Sequence, residues 1–227
     1  MWNYNHWTGK TGRSLLGDKP PENHILLYFW VWKEHFWSLM KLNLYVILHT
    51  LPIVTLFPAL AAMNRVIYNM IEDKPQLLWI EYRDVFRKEC KAALIAEIPA
   101  MLFCTVFILI GGFFRNTTVS GGHVVVAFLG LAIVFLVSSY VLGMLPYVQI
   151  SVKQCYKNAI LMLGLCFVRN LFLLLVVILL AMLFVLGHPL TTPVLFFFAV
   201  PVFGYFIAFQ TYIPIHKYLV NVQKESK

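Results

Sequence analysis

The segment KLNLYVILHTLPIVTLFPALAAMNR, from Lys41 to Arg65, constrains the fold of this chain more than any other stretch. It is apolar enough to enter a lipid bilayer, yet Pro52 and Pro58 interrupt it. A bilayer core about 30 Å thick needs roughly 20 apolar residues per helix, and residues 42–57 are too few. Because proline removes a helix donor and restricts the residue before it, we expect the helix to break at Pro52 or Pro58.

The composition places the whole chain in lipid. Hydrophobic residues make up 60% of the sequence and charged residues only 12%, whereas an ordinary soluble domain has about 25% charged residues. We therefore predict an all-α, polytopic helical membrane protein. The net charge of +8 fits basic loops that set orientation and contact anionic lipid, so we expect the lipid bilayer, and no nucleic acid, as a partner.

The chain divides into a polar N-terminal tail (1–23), a single helical membrane domain (24–222) and a C-terminal tail (223–227). Residues 24–40 are aromatic with a charged centre, which favours a helix lying in the membrane interface and running on into the bilayer. Four clear transmembrane helices are predicted, and the proline-broken segment brings the total to five or six. The four predicted spans are 92–114, 122–148, 158–186 and 190–215.

Residues 72–91 are the most charged part of the chain. They predict an interfacial amphipathic helix that leads into a span, with a basic face that contacts lipid headgroups or a partner. That basic face consists of Arg83, Arg87, Lys88 and Lys91.

Lysine and arginine residues recur in alternate loops, which places 72–91, 150–157 and the C-terminus in the cytoplasm. The N-terminal region is basic as well. If it too is cytoplasmic, residues 42–71 must enter the membrane and return, either as two short tilted helices or as a re-entrant hairpin buried in protein.

Two charges stand in otherwise apolar spans, Glu97 and Arg169. A charge in the hydrocarbon region costs at least about 2.5–3.5 kcal/mol on insertion scales. These two residues therefore predict either a buried pair that lines a polar cavity or an ion pair that only fixes helix register. A third reading is that the arginine extends to an interface.

His49 stands close to the break at Pro52. A titrating group near an unwound helix can bind a proton, an ion or a substrate, or it can hydrogen-bond a backbone carbonyl that proline leaves free. Together with Glu97 and Arg169 it forms the candidate intramembrane polar site. Asn43 and Asn64 are expected to tie the broken segment together through side-chain hydrogen bonds.

Enzyme motifs are absent from the sequence: there is no HExxH, no P-loop, no GxSxG and no pair of carboxylates beside a histidine. The four cysteines form no CxxC pair, and no histidine cluster accompanies them. We therefore expect no enzymatic activity, no cofactor and no metal.

The series Leu42-Asn43-Leu44, Leu51-Pro52-Ile53-Val54-Thr55 and Pro58-Ala59-Leu60-Ala61-Ala62, followed by Phe86, Lys91 and Ala93, resembles the YesL family. This is a family of bacterial integral membrane proteins with no assigned activity, and the resemblance is strongest over residues 40–95. It implies the plasma membrane of a bacterium. Because such proteins are often encoded near carbohydrate ABC importers and sugar sensors, it also implies a non-catalytic accessory role in sugar uptake or sensing.

Two functions follow as expectations. The first is an accessory subunit that binds the membrane subunits of an ABC transporter or a sensor. The alternative is a small secondary transporter or channel with a polar intramembrane site.

Overall fold

The computed structural model describes residues 20–75, 77–113, 121–148, 150–188, 193 and 197–220, and this part of the chain is helical with no strand. The prediction of an all-α fold is confirmed. The α-helices, in chain order, are α1 (His24–Glu34), α2 (Phe36–Thr50), α3 (Leu56–Ile71), α4 (Leu78–Phe113), α5 (Gly121–Val148), α6 (Val152–Leu165), α7 (Phe167–Leu186) and α8 (Tyr205–Ile215). A 3₁₀ turn covers Ile53–Thr55, and wider π turns cover Ala199–Gly204 and His216–Val220.

Three helices in the described residues are long and apolar enough to cross a membrane, which indicates a membrane protein. These stretches lie in α4, α5 and α7, at Leu78–Phe107, Val125–Val148 and Phe167–Leu186. The fourth predicted span, 190–215, falls partly outside the described residues, because the structure describes only residue 193 and residues from 197 onwards in this region. The total of five or six membrane helices therefore stays a prediction.

The proline-containing segment forms two helices. Helix α2 ends at Thr50, and α3 begins at Leu56 after the 3₁₀ turn. Pro58 lies in the first turn of α3, where backbone N–H groups have no partner within the helix. The hydroxyl of Thr55 donates to the carbonyl of His49 at the end of α2, and to the carbonyl of Pro52 at 2.7 Å. The break is therefore as expected, whereas the entry and return of the segment stay a prediction.

The predicted span 158–186 is wrong as one continuous helix. It is divided at Cys166, whose backbone angles (φ −112°, ψ 32°) leave the helical region. A capping box starts α6, in which the Ser151 hydroxyl accepts a hydrogen bond from the backbone N–H of Gln154. The side-chain amide of Asn170 donates to the carbonyls of Met162 and Leu163, at 3.2 and 3.3 Å. These bonds satisfy carbonyls in the last turn of α6, and so the break is stabilised locally.

The predicted interfacial helix over 72–91 and the predicted span over 92–114 are joined, because one continuous helix runs from Leu78 to Phe113. Helix α4 has 36 residues and contains Pro99. At 1.5 Å per residue it is about 54 Å long, well beyond the thickness of a bilayer core. Similarly, the predicted interfacial helix over 24–40 is divided at His35, and α2 then runs on past Leu42 as expected.

Helix α3 lies at the centre of the molecule and packs against α2, α4, α5 and α8. Its Ala59, Ala61 and Ala62 side chains have no exposed surface, which lets neighbouring backbones approach closely. Helix α7 is the opposite case, because Val168 and Leu186 are each 80% exposed. An apolar surface of that kind is stable against lipid and not against water.

A candidate intramembrane cavity around Glu97

A cavity of about 650 Å³ lies among α2, α3, α4, α5 and the π turn that precedes α8. Its wall is almost entirely apolar, with the rings of Phe57, Phe135 and Phe203 among the lining side chains. Among the described residues, four polar ones interrupt this wall: Asn64, Glu97, Ser138 and Ser139. The size is typical of a site for a small molecule.

Small residues on one face of α4 bring Glu97 to the cavity. Ala93, Ala96 and Ala100 share the face of Glu97 by helical spacing, and the first two are completely buried. Helix α5 packs against this helix, which allows the hydroxyl of Ser138 to reach across. It donates a hydrogen bond of 2.7 Å to Oε2 of Glu97.

The second carboxyl oxygen of Glu97 has no hydrogen-bond partner in the part of the chain that the structure describes. The residue is completely buried, and a buried carboxylate with no counter-charge is strongly unfavourable. The group must therefore hold a proton or pair with a cation that enters the cavity.

Asn64 provides a second unsatisfied oxygen on the same wall. The residue is 5% exposed, and its Oδ1 atom has no partner among the described residues. Ser139 differs, because its hydroxyl donates to the carbonyl of Phe135 at 2.8 Å. The two unpaired buried atoms on the described part of the cavity wall, one from Glu97 and one from Asn64, are thus both oxygens. Both accept hydrogen bonds when the carboxyl group of Glu97 is ionised.

The structure does not bring Arg169 to Glu97. Among the described residues no ion pair within 4.0 Å joins them. Arg169 lies in the first turn of α7 and lines a separate cavity of about 410 Å³, together with His24 and Lys217. Glu97 and Arg169, which the sequence analysis placed in one candidate site, therefore belong to different sites.

His49 also lies away from the cavity. Its Nδ1 atom is 2.8 Å from the carbonyl of Tyr45, one turn earlier in α2. Its ring packs against aromatic residues of α4, with centroids 5.3 Å from Tyr82 and 4.8 Å from Phe86. This histidine therefore fixes the contact between α2 and α4.

The basic residues of α4 lie at its surface. Arg87, Lys88 and Lys91 are exposed, and Arg83 is half-buried. Local acidic neighbours balance part of this charge, because Asp84 lies 3.2 Å from Arg83 and Glu89 lies 3.8 Å from Lys88. The opposite side of the helix contributes Tyr82 to the core, where it is completely buried.

Asn43 makes contacts that differ from those expected. Its side-chain amide donates to the carbonyl of Phe197 at 2.9 Å, and its Oδ1 accepts from the backbone N–H of Val200 at 3.1 Å. It therefore ties α2 to the π turn on the cavity wall. Both asparagines were expected to tie the broken segment together, but these two bonds of Asn43 go to the π-turn region instead, and Oδ1 of Asn64 has no partner among the described residues.

A polar cluster at the end of α3 was not foreseen from sequence. Glu72 accepts a hydrogen bond from the hydroxyl of Tyr147, lies 3.4 Å from that of Tyr212 and forms an ion pair with Lys74 at 2.5 Å. Burial acts to raise the pKa of Glu72, but the bonds from Lys74 and Tyr147 hold this pKa below its ordinary value. No local pattern could indicate this cluster, since both tyrosines are far away in sequence.

Metal binding has no support in the described residues, which contain no group of three or more histidine, cysteine, aspartate or glutamate side chains suited to an ion.

Comparison with known protein families identifies one similarity. The family model described as "Protein of unknown function, DUF624" matches residues 39–110. The match begins in α2, covers α3 and extends through most of α4, so it includes Glu97 and Asn64. Neither the comparison with curated proteins nor that with solved structures finds a match. The chain is thus similar to the DUF624 family over the helices that form one side of the cavity.

Proposed function

We propose that this protein is a non-catalytic accessory component of a bacterial membrane complex that serves carbohydrate ABC uptake or sensing. It is a multi-pass protein of the plasma membrane and belongs to the YesL family, with both termini in the cytoplasm. The DUF624 match over 39–110 supports this proposal, because the YesL family contains that domain and resembles the chain over nearly the same residues. The sugar connection comes from the genes that neighbour members of this family.

The exposed basic face of α4 is the observation that carries the proposal. Arg87, Lys88 and Lys91 project from a helix whose other side is fixed in the core by Tyr82. A rigid helix with several exposed positive charges fits an acidic partner surface, since complementary charge speeds and orients association. Anionic headgroups satisfy the same charges when the partner is absent.

Co-purification tests this function. We expect partner membrane subunits to be recovered with the protein from its native host, in mild detergent and under sugar induction. Replacing Arg87, Lys88 and Lys91 together with glutamine should abolish their recovery, while the same change at Lys153 and Lys157 of α6 should not. Recovery of the lone wild-type protein would contradict the proposal.

A small secondary transporter or channel is the second candidate, and the cavity around Glu97 favours it. A buried, unpaired carboxyl group in a membrane helix is a typical feature of proton and substrate pathways. A transporter would move its substrate in vesicles that contain no other protein, whereas an accessory subunit would not. If such transport occurs and Glu97→Gln and Arg169→Gln leave it unchanged, these two residues are structural.

A further inference from the structure

We infer that the cavity around Glu97 binds a lipophilic amine, a molecule with one protonated amino group on an apolar body. This inference names a ligand for the second candidate function, a transporter or channel. Only the movement of the amine across the membrane rests on that function. Binding by itself would hold equally for an accessory subunit.

The unpaired atoms of the cavity decide the chemistry of the polar end of the ligand. Both are oxygens, one on Glu97 and one on Asn64, and with the carboxyl group ionised both accept hydrogen bonds, so a ligand that donates hydrogen bonds satisfies them. The ionised carboxyl group repels an anion. A protonated amine offers N–H donors together with a positive charge, which the carboxyl group of Glu97 needs as a partner.

The described part of the wall supplies no cation that could take this role. None of the described residues that line the cavity is a lysine, arginine or histidine, and Arg169 belongs to another site. The hydroxyl of Ser138 occupies Oε2 of Glu97 and leaves the other oxygen for the incoming group. When a protonated amine enters and the carboxyl group is protonated, that carboxyl proton leaves to solvent and the ammonium takes its place.

The rest of the wall determines the size and the chemistry of the apolar part of the ligand. The volume of about 650 Å³ admits a molecule with one or two aromatic rings, and Phe57, Phe135 and Phe203 line the space. Aromatic faces also attract a desolvated cation. A sugar would leave most of its hydroxyl groups unpaired against such a wall, so the proposed link to carbohydrate uptake does not run through this cavity.

The test measures binding of naphthylmethylamine to the purified full-length protein by equilibrium dialysis, with protein-free detergent micelles as the blank. The neutral counterpart, naphthylmethanol, has nearly the same shape and lacks the charge. We expect the amine to bind at least about tenfold more tightly than the alcohol, which is the low end for a charge-assisted hydrogen bond.

Two variants assign the binding to the cavity. Glu97→Gln removes the charge and keeps the size, and Ala100→Phe fills the space without changing the carboxyl group. Each should weaken amine binding at least about tenfold. The matched control is Glu89→Gln, which removes a carboxyl group from the same helix outside the cavity and should leave the affinity unchanged. Ala100→Phe decides the matter if Glu97→Gln does not fold.

Four results would overturn the inference. These are no amine binding above the micelle blank, equal affinity for the alcohol, wild-type affinity in a folded Glu97→Gln or Ala100→Phe protein, and equal losses in Glu97→Gln and Glu89→Gln. A failed co-purification would leave amine binding untouched, so the two proposals fail separately.

Discussion

The crossing of α5 over α3 depends on the absence of a side chain at Gly143, and replacing this glycine with alanine should destabilise the protein. A Cβ atom at this position would lie 2.3 Å from the hydroxyl oxygen of Tyr68 and 3.2 Å from Cδ1 of Ile215. Ordinary contact begins at 3.4 Å, so the Tyr68 hydroxyl would have to retreat by about 1 Å.

The surroundings of Tyr68 oppose this retreat. The side chain has no exposed surface, and its hydroxyl lies 3.0 Å from that of Thr211. The rings of Tyr147 and Tyr212 pack against it, each with a centroid distance of 5.2 Å. Overpacking of this kind costs about 1–3 kcal/mol, and the better helix propensity of alanine returns about 0.5–1 kcal/mol.

The net loss in the free energy of unfolding is therefore between about 0 and 2.5 kcal/mol, with a midpoint of about 1.2 kcal/mol. At about 2–4 °C per kcal/mol for a chain of this size, the midpoint corresponds to a fall of about 2–5 °C in the Tm of Gly143→Ala. The assay is thermal unfolding in detergent, followed by the loss of the monodisperse peak in size-exclusion chromatography.

Gly164→Ala is the matched control, because a Cβ at Gly164 would meet no heavy atom within 4 Å. Its Tm should stay the same or rise. Tyr68→Phe removes the clashing oxygen at the cost of a hydrogen bond of about 1 kcal/mol, so it should lose less stability in the Gly143→Ala background than in the wild type. Equal Tm values for the two glycine variants, or strictly additive losses in the double variant, would refute this reasoning.

Two further predictions concern polar contacts between distant segments. Asn170→Leu removes the acceptor to which the hydroxyl of Tyr140 donates at 2.7 Å. It also removes the donor for two carbonyls of α6. It should cost about 1–3 kcal/mol in thermal unfolding, whereas Leu171→Ala on the exposed face should cost less. Glu72 should make stability depend on pH, because its lowered pKa gives stability that is fully present above about pH 4.3 and is lost as the pH falls through the folded value. Unfolding measured from about pH 6 down to about pH 2 should show this loss in the wild type and in Glu89→Gln but not in Glu72→Gln; an unchanged slope in Glu72→Gln would contradict it.

The membrane location of the fold and the break near Pro52 could be predicted from the sequence because both have local causes. Hydrophobicity is a sum over residues, and proline acts on its own turn and the residue before it. The importance of Glu97 could be recognised for the same reason, since a charge in an apolar span is unfavourable wherever the helix faces. The helix break at Cys166 could not be predicted in the same way, because no proline marks it. Side-chain hydrogen bonds from Asn170 to the carbonyls of Met162 and Leu163 stabilise it, and an asparagine in an apolar run does not by itself indicate such bonds.

The sequence by itself determined that this is a helical membrane protein, that the proline-containing segment from Lys41 to Arg65 is broken, and that an apolar helix carries a carboxyl group. Only the tertiary structure decided that Arg169 belongs to another cavity, that His49 packs on α4 and that Asn64 joins Glu97 on one wall. The physical reason is that lipid-facing and core-facing side chains are equally apolar in a membrane protein. Periodicity therefore does not show which helix faces meet, and polar partners on different helices become known only when the helices are packed.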